Sequence, residues 1–222
     1  MTRVYLIRHG ETDWNLTGRW QGHTNIPLNN LGLEQARLLA RHFAGDVQFA
    51  AIYSSDLLRA WQTAEILGRA LQVAPQPMLA LREIDIGWWG GKTRAEIAAR
   101  DAATLARIDA DEDLPRGDAE TLRDLYDRAT AALHQLVAAH ANATIAIVAH
   151  GGTIRALLEY AHTDRHWRWP WPHQSIGNTA VSIIAATPGG WRVELANDMT
   201  HLIGAPQAVD VLARSPDDAQ QV

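Results

Sequence analysis

Two short runs of apolar side chains in this sequence end at histidines. Residues 4–7 lead to His9 and residues 144–149 lead to His150, and a glycine follows each histidine. Neither run alternates apolar with polar side chains, which is typical of strands that are covered on both faces in a parallel sheet. A third apolar run, at residues 49–53, predicts a further strand.

Helical periodicity separates and follows these strands. Apolar side chains recur three or four residues apart, which predicts helices at residues 31–43, 57–71, 122–139 and 153–160. Residues 54–56, with the sequence Ser-Ser-Asp, are suited to cap the second of these helices.

The alternation of strands and helices predicts an α/β fold, a three-layer sandwich with a mostly parallel central sheet and helices on both faces. Residues 179–186 and 191–196 flank a Pro-Gly-Gly sequence, which predicts a closing hairpin. We expect residues 1–203 to form a single domain, followed by a polar tail at 204–222.

Two segments stand apart from this alternation. Residues 101–120 are helix-prone and acidic, and we interpret them as an excursion that can form a lid. Over an active site, such a lid would favour weakly charged ligands over highly charged anions. Residues 165–173 combine tryptophans with prolines; the simplest interpretation is a loop that caps the core, and the alternatives are a pocket mouth or a subunit contact in a homodimer.

The composition narrows the possible partners. The 222-residue chain is 47% hydrophobic and has a net charge of -5, which argues against a nucleic-acid-binding protein. It has no cysteine and no apolar run long enough to span a bilayer, so we expect a cytoplasmic protein without a membrane partner. Lys92 is the only lysine, so an anion site must use arginines, histidines and backbone amides.

The two histidines are the first candidates for chemistry. Ligands of open parallel sheets bind beyond the carboxyl ends of the strands, so His9 and His150 should face each other at that edge. A neutral imidazole is a good nucleophile toward phosphorus. The transferred phosphoryl group needs fixed positive donors, and Arg8 and Arg59 can supply them.

Other polar residues can complete such a site. Asn15, Gln21 and Gly22 lie on the loop after the first strand and can add neutral donors. A leaving alkoxide needs an acid, for which Glu83 is the candidate and Asp85 the alternative.

Short motifs occur in a characteristic order along most of the chain. They are residues 6–15 (LIRHGETDWN), 18–22 (GRWQG), 28–36, 54–64 (SSDLLRAWQTA), 81–83 (LRE) and 150–152 (HGG). Over about residues 3–200 the chain resembles the histidine phosphatase superfamily, the phosphoglycerate-mutase-like clan, and within it the phosphatase branch. Asn25 stands where the family commonly has aspartate, and Gly90 stands where it usually has glutamate.

This resemblance implies a role for each matching residue. His9 would be the phosphorylated nucleophile, and Glu83 would be the general acid that later activates water. The phosphate-binding residues would be Arg8, Asn15, Gln21, Gly22, Arg59, His150 and Gly151. The family needs no metal, and we expect no cofactor.

Two other sites are rejected. Residues 87–93 resemble a nucleotide-binding loop, but Ile86 occupies the position of its first glycine. A zinc site made of His9, His150 and Glu83 is disfavoured because the neighbouring arginines would repel a cation.

The sequence therefore predicts a metal-independent phosphomonoester hydrolase that acts on a small phosphorylated metabolite through phosphohistidine. One alternative is a cofactor-dependent phosphoglycerate mutase, although such mutases typically carry a basic pair in the excursion, which is acidic here. The other is a catalytically silent module that binds a phosphorylated ligand.

Overall fold

The computed structural model describes residues 1–163, 167 and 175–204. The strands are β1 (Thr2–Arg8), β2 (Ala51–Ser54), β3 (Pro75–Pro77), β4 (Thr144–Ala149), β5 (Val181–Thr187) and β6 (Gly190–Asp198). The helices are α1 (Asp13–Leu16), α2 (Asn30–Phe43), α3 (Leu58–Leu71), α4 (Arg94–Asp109), α5 (Leu122–Ala139) and α6 (Gly151–His162). Short 3-10 turns occupy Leu79–Leu81, Gly87–Trp89 and Thr200–Leu202.

One six-stranded sheet runs through the molecule in the order β3-β2-β4-β1-β5-β6. The first four strands in this order are parallel, whereas β5 and β6 are antiparallel to their neighbours. The strands β5 and β6 form the hairpin predicted around the Pro-Gly-Gly sequence.

Both faces of the sheet are covered by helices. On β4, Ile145 and Ile147 pack into the core that includes α5 and α6, whereas Ala146 and Val148 pack against α2 and α3. The lack of polar alternation in this strand is explained by these two cores. The predicted three-layer α/β sandwich is confirmed.

The first turn of α3 is capped differently from the prediction. The N-cap residue is Leu57, and its own side chain makes no capping hydrogen bond. The backbone N–H of Leu58 donates instead to Oδ1 of Asn25, at 2.6 Å. The amide oxygen of Asn25 thus satisfies a helix donor from a distant loop.

Residues 165–173 are described only at one position, and residues 205–222 are not described. Within residues 165–173 the structure describes Trp167, whose ring lies edge-on to Tyr126 with 5.0 Å between centroids. The prediction of a loop cap for the rest of that segment, and of a polar tail at 205–222, lies outside the described residues. None of the described helices combines the length and apolarity needed to cross a bilayer.

A close backbone contact joins two loops near the carboxyl edge of the sheet. Gly87 has a φ of +47°, and a Cβ on it would lie 1.9 Å from the carbonyl oxygen of Gly117. We expect Gly87→Ala to lower the free energy of unfolding by about 2–4 kcal/mol, since a left-handed backbone disfavours alanine and the clash displaces backbone. Urea unfolding measures this loss.

Gly45→Ala is the matched control for this substitution. Gly45 also has a positive φ, +89°, but a Cβ on it would meet nothing within 4 Å. We expect it to lose only about 1 kcal/mol. Equal losses in the two variants would show that the Gly87–Gly117 contact contributes nothing.

Candidate active site

The parallel pairing of β1 with β4 brings the two histidines together. Arg8 and Ala149 are the last residues of these strands and are paired in register. His9 follows β1 and His150 follows β4, and the centroids of the two imidazole rings lie 5.3 Å apart. The strand pattern predicted this approach.

Hydrogen bonding fixes the tautomer of His9. Its Nδ1 lies 2.7 Å from the carbonyl oxygen of Gly10. A carbonyl only accepts hydrogen bonds, so Nδ1 carries the proton and Nε2 keeps its lone pair. Nε2 is thus the nitrogen that can act as a nucleophile.

His150 lies behind His9 and is fully buried. Its Nε2 is 2.8 Å from Oγ of Ser55, which also accepts from the backbone N–H of Leu57 at 3.3 Å. The Ser55 hydroxyl proton can therefore be donated to Nε2, which leaves the imidazole proton on Nδ1. Among the described residues, Nδ1 of His150 has no hydrogen-bond partner.

The environment keeps both imidazoles neutral. Burial is the main cause that lowers the pKa of His9 well below its usual value, and the positive charges of Arg59 and Arg8 add to it. Burial and the Arg59 charge likewise lower the pKa of His150. A neutral imidazole at neutral pH is the form that a nucleophile requires.

Two buried guanidinium groups flank the histidines. Arg59, only 1% exposed, donates to the carbonyl oxygens of Gly22 and Thr24 at 2.8 and 2.9 Å, and Arg8 donates to the carbonyl of Ile176. Burial lowers the pKa of Arg59 to about 10, although the negative charge of Glu83 opposes this shift. The Nε–H groups of both arginines have no partner among the described residues, so both can donate to an anion.

Glu83 reaches the same cavity from a loop rather than from a strand. Its Oε2 accepts from the backbone N–H of Gly152 in the first turn of α6 at 3.1 Å, and its Oε1 accepts from Ile84 at 3.0 Å. Asp85 instead lies 3.6 Å from Nδ1 of His23, measured from Oδ2, and does not line the cavity. The geometry thus favours Glu83 over Asp85 as the acid.

A single cavity of about 100 Å³ collects most of the predicted residues, enough for several water molecules. The predicted residues that line it are Arg8, His9, Asn15, Gln21, Gly22, Arg59, Glu83 and Gly151. His150 is the exception, since it adjoins His9 from behind and is not among the lining residues. Among the described residues, no group of three histidine or carboxylate side chains is arranged to hold a metal ion.

Sequence reasoning missed two further arginines in this cavity. Arg116, 2% exposed, and Arg155, on α6, both line it. Burial lowers the pKa of Arg116 to about 10, Asp113 opposes this shift, and the charge of Arg155 lowers the value further. Arg155 follows the second histidine by five residues, so the helical spacing of α6 offered a signal for it.

Residues 101–120, predicted to be an acidic excursion that can form a lid, bring one positive charge to the cavity. The lid itself stays a prediction. Helix α4 ends at Asp109, and the following loop brings Arg116 to the cavity wall. Several acidic side chains of the segment are neutralised by arginines, in the pairs Asp109–Arg94, Glu112–Arg107, Asp113–Arg116 and Glu120–Arg128. The net negative charge of this segment in the sequence gave no sign that Arg116 contributes positive charge to the cavity.

Comparison with known proteins agrees with this geometry. The family model of the histidine phosphatase superfamily (branch 1) matches residues 4–199. The chain belongs to this superfamily. Its relatives there include phosphoglycerate mutase-like protein 4 of Arabidopsis thaliana, which is 34% identical over 90% of this chain and 86% of the relative. The uncharacterized phosphatase PhoE of Bacillus subtilis is 36% identical over 92% of this chain and 98% of its own.

A solved structure of this histidine phosphatase family extends the likeness to the fold. A mycobacterial glucosyl-3-phosphoglycerate phosphatase in complex with VO3 superposes with a TM-score of 0.77 and 31% identity. The match covers 88% of this chain and 98% of the mycobacterial chain.

The neutral buried histidines make stability depend on pH. Below about pH 6.5, His150 binds a proton in the unfolded chain but stays neutral in the folded protein. Acidification therefore favours unfolding. One such histidine lowers the free energy of unfolding by about 2 kcal/mol between pH 7 and pH 5.

Urea unfolding in phosphate-free buffer should therefore show a smaller pH dependence for His150→Asn than for the wild type. His162→Asn, at an exposed position on α6, is the control and should retain the wild-type pH dependence; if His150→Asn retains it as well, residue 150 is not a buried neutral histidine.

Proposed function

We propose that this member of the histidine phosphatase superfamily hydrolyses phosphate monoesters without a metal, through a covalent phosphohistidine at His9. The observation that carries the proposal is the unprotonated Nε2 of a buried imidazole beside a cavity lined by Arg8, Arg59 and Glu83. Arginine donors stabilise the charge on the transferred phosphoryl oxygens.

In the first step Nε2 of His9 attacks phosphorus and the ester P–O bond breaks. The leaving oxygen takes a proton from protonated Glu83 and departs as an alcohol. The guanidinium groups of Arg8 and Arg59, which line the cavity, donate to the phosphoryl oxygens. The Nδ1–H of His150, which has no partner among the described residues, is the third donor that we assign to them.

In the second step Glu83, now a carboxylate, takes a proton from water, and the water oxygen attacks phosphorus. The P–N bond breaks, inorganic phosphate leaves, and His9 returns with its lone pair on Nε2. Throughout both steps the Gly10 carbonyl holds the proton on Nδ1 of His9.

The test is hydrolysis of p-nitrophenyl phosphate in the presence of EDTA. His9→Ala should lower kcat by at least about 10³-fold, since it removes the group that forms the covalent intermediate. Rapid denaturation during turnover should trap an acid-labile phosphate on the wild type and none on the variant. Full activity of His9→Ala, or complete inhibition by EDTA, would contradict the proposal.

The further arginines indicate the kind of leaving group. We propose that the substrate carries a second anionic group, such as a carboxylate, which Arg116 and Arg155 receive. Both guanidinium groups line the cavity. Burial lowers the pKa of Arg116, Asp113 at 3.6 Å raises it, and the like charge of Arg155 lowers it, so an anion bound beside the two arginines would relieve their repulsion. The mycobacterial phosphatase is named for a glucosyl-3-phosphoglycerate substrate, which is consistent with this class.

Arg116→Gln tests the second anion. It should lower kcat/KM for 3-phosphoglycerate by about 10–100-fold, the loss of a hydrogen bond between charged groups, and leave kcat/KM for p-nitrophenyl phosphate within about threefold of wild type. Arg107→Gln is the matched control, because Arg107 lies on the same segment but is exposed and paired with Glu112. Equal effects of Arg116→Gln on both substrates would argue against an anion site.

A phosphoglycerate mutase is the second candidate, favoured by the mutase-like relative and by the position of Arg116, from the segment predicted to be acidic, in the cavity wall. An enolase-coupled assay on 3-phosphoglycerate separates the two activities. Phosphate release without fast isomerisation supports the hydrolase, and isomerisation without release supports the mutase. Binding of phosphate esters with no turnover at all would instead identify a silent module.

A further inference from the structure

The loop that carries Glu83 has little regular structure of its own to hold it. After the 3-10 turn Leu79–Leu81, residues 82–86 belong to no helix or strand. Their backbone carbonyls therefore need partners from elsewhere. A general acid must lie within about 3 Å of the leaving oxygen, so the partners of this loop determine whether Glu83 can act.

One side chain contacts two of these carbonyls and a third in the preceding turn. Thr153 and His23 also contact the carbonyl oxygens of Arg82 and Glu83, with one hydrogen bond each. The guanidinium of Arg128 on α5 donates from NH1 to the carbonyl oxygens of Ala80 and Arg82, at 3.0 and 2.7 Å. It donates from NH2 to the carbonyl oxygen of Glu83, at 2.6 Å. Three carbonyls around the acid are thus held by one planar, rigid fork.

Glu120 orients this fork and binds the same loop. Its Oε1 accepts from Nε of Arg128 at 2.8 Å, and its Oε2 accepts from NH2 at 2.9 Å. Oε2 also accepts from the backbone N–H of Asp85 at 2.8 Å, and the Glu120 backbone N–H donates to the Asp85 carbonyl at 3.0 Å. Both side chains are only about one-fifth exposed, at 21% for Arg128 and 23% for Glu120.

We infer that Arg128, oriented by Glu120, is a positioning residue that holds the Glu83 carboxyl at the cavity for proton transfer to the leaving group. Arg128 is not among the described residues that line the cavity, so it acts through Glu83 and not on the phosphate. Glu83 makes the complementary contact at the far end of its side chain, on the backbone N–H of Gly152. The inference rests on the proposed hydrolase function.

This role separates substrates by their need for an acid. Glycerol 2-phosphate releases a poor alkoxide leaving group that must be protonated, whereas p-nitrophenyl phosphate releases a stable phenolate. Arg128→Lys keeps the charge and loses the fork. Its kcat/KM for glycerol 2-phosphate, which reports the steps up to release of the alcohol, should fall by about 10–100-fold, as for a misplacement of about 1 Å. Its kcat/KM for p-nitrophenyl phosphate should fall by less than about threefold, because the phenolate leaves without a proton and the later attack of water does not enter this constant.

Two further measurements exclude a general structural effect. The inhibition constant of inorganic phosphate should stay within about twofold of wild type, because the phosphate donors are untouched. In a Glu83→Gln background, adding Arg128→Lys should change kcat/KM for glycerol 2-phosphate by less than about twofold, since the group that it positions is already disabled. Arg123→Lys, at an exposed position on the same helix, is the control and should resemble the wild type.

Glu120→Gln is the second variant and serves if Arg128→Lys fails to fold. It keeps the shape of the side chain and removes one of the two carboxylate oxygens that accept hydrogen bonds from the Arg128 guanidinium. We expect a smaller loss of kcat/KM for glycerol 2-phosphate, of about threefold or more, and the same preference for the aryl ester. The role of Arg128 would be overturned if kcat/KM fell equally for both esters, or if the effects of Arg128→Lys and Glu83→Gln on kcat/KM were fully additive. It would also be overturned if the inhibition constant of inorganic phosphate rose as much as kcat/KM fell. A wild type that hydrolyses neither ester would instead overturn the proposed function.

Discussion

The parallel pairing of β1 with β4 is the constraint on which the site depends. Because the two strands run side by side in register and end at the same edge, the residues that follow them must emerge together. His9 and His150 are brought into contact by backbone hydrogen bonds, before any side-chain interaction is considered. The strands are buried on both faces, so a shift of register by one residue would move each side chain into the opposite core, where the packing does not fit it.

Burial of positive charge at this edge sets the chemistry. Arg8 and Arg59 have given up water, and in exchange their guanidinium groups bind backbone carbonyls on the surrounding loops. Such carbonyls satisfy hydrogen bonds but do not cancel charge, so the positive potential persists in the cavity. The same potential adds to burial in lowering the pKa of His9, and it attracts a phosphate dianion. One arrangement therefore both activates the nucleophile and binds its target.

Much of the fold and half of the site could be read from the sequence because they follow from local pattern. Apolar runs gave the central strands, and the motif around residue 9 pointed to a phosphoryl-transfer site. Asn25 could not be recognised as the cap of α3, since it lies far from that helix in sequence. Arg116 was hidden for a different reason: its neighbours are acidic, and only the folded ion pairs show that their charges are neutralised locally.

The nucleophile and the acid are therefore held in physically different ways. His9 is fixed by the sheet, whose hydrogen bonds and packing depend on many residues and tolerate little change. The backbone around Glu83 is held by a few side chains, among them Arg128 and Glu120. Thr153 and His23 add one hydrogen bond each. A site held by a few side chains can move when those side chains or their neighbours change, without disturbing the sheet. Within one fold, the attacking group is then invariant in position, while the acid and the leaving-group wall beside it are the parts that can be adjusted to a different ester.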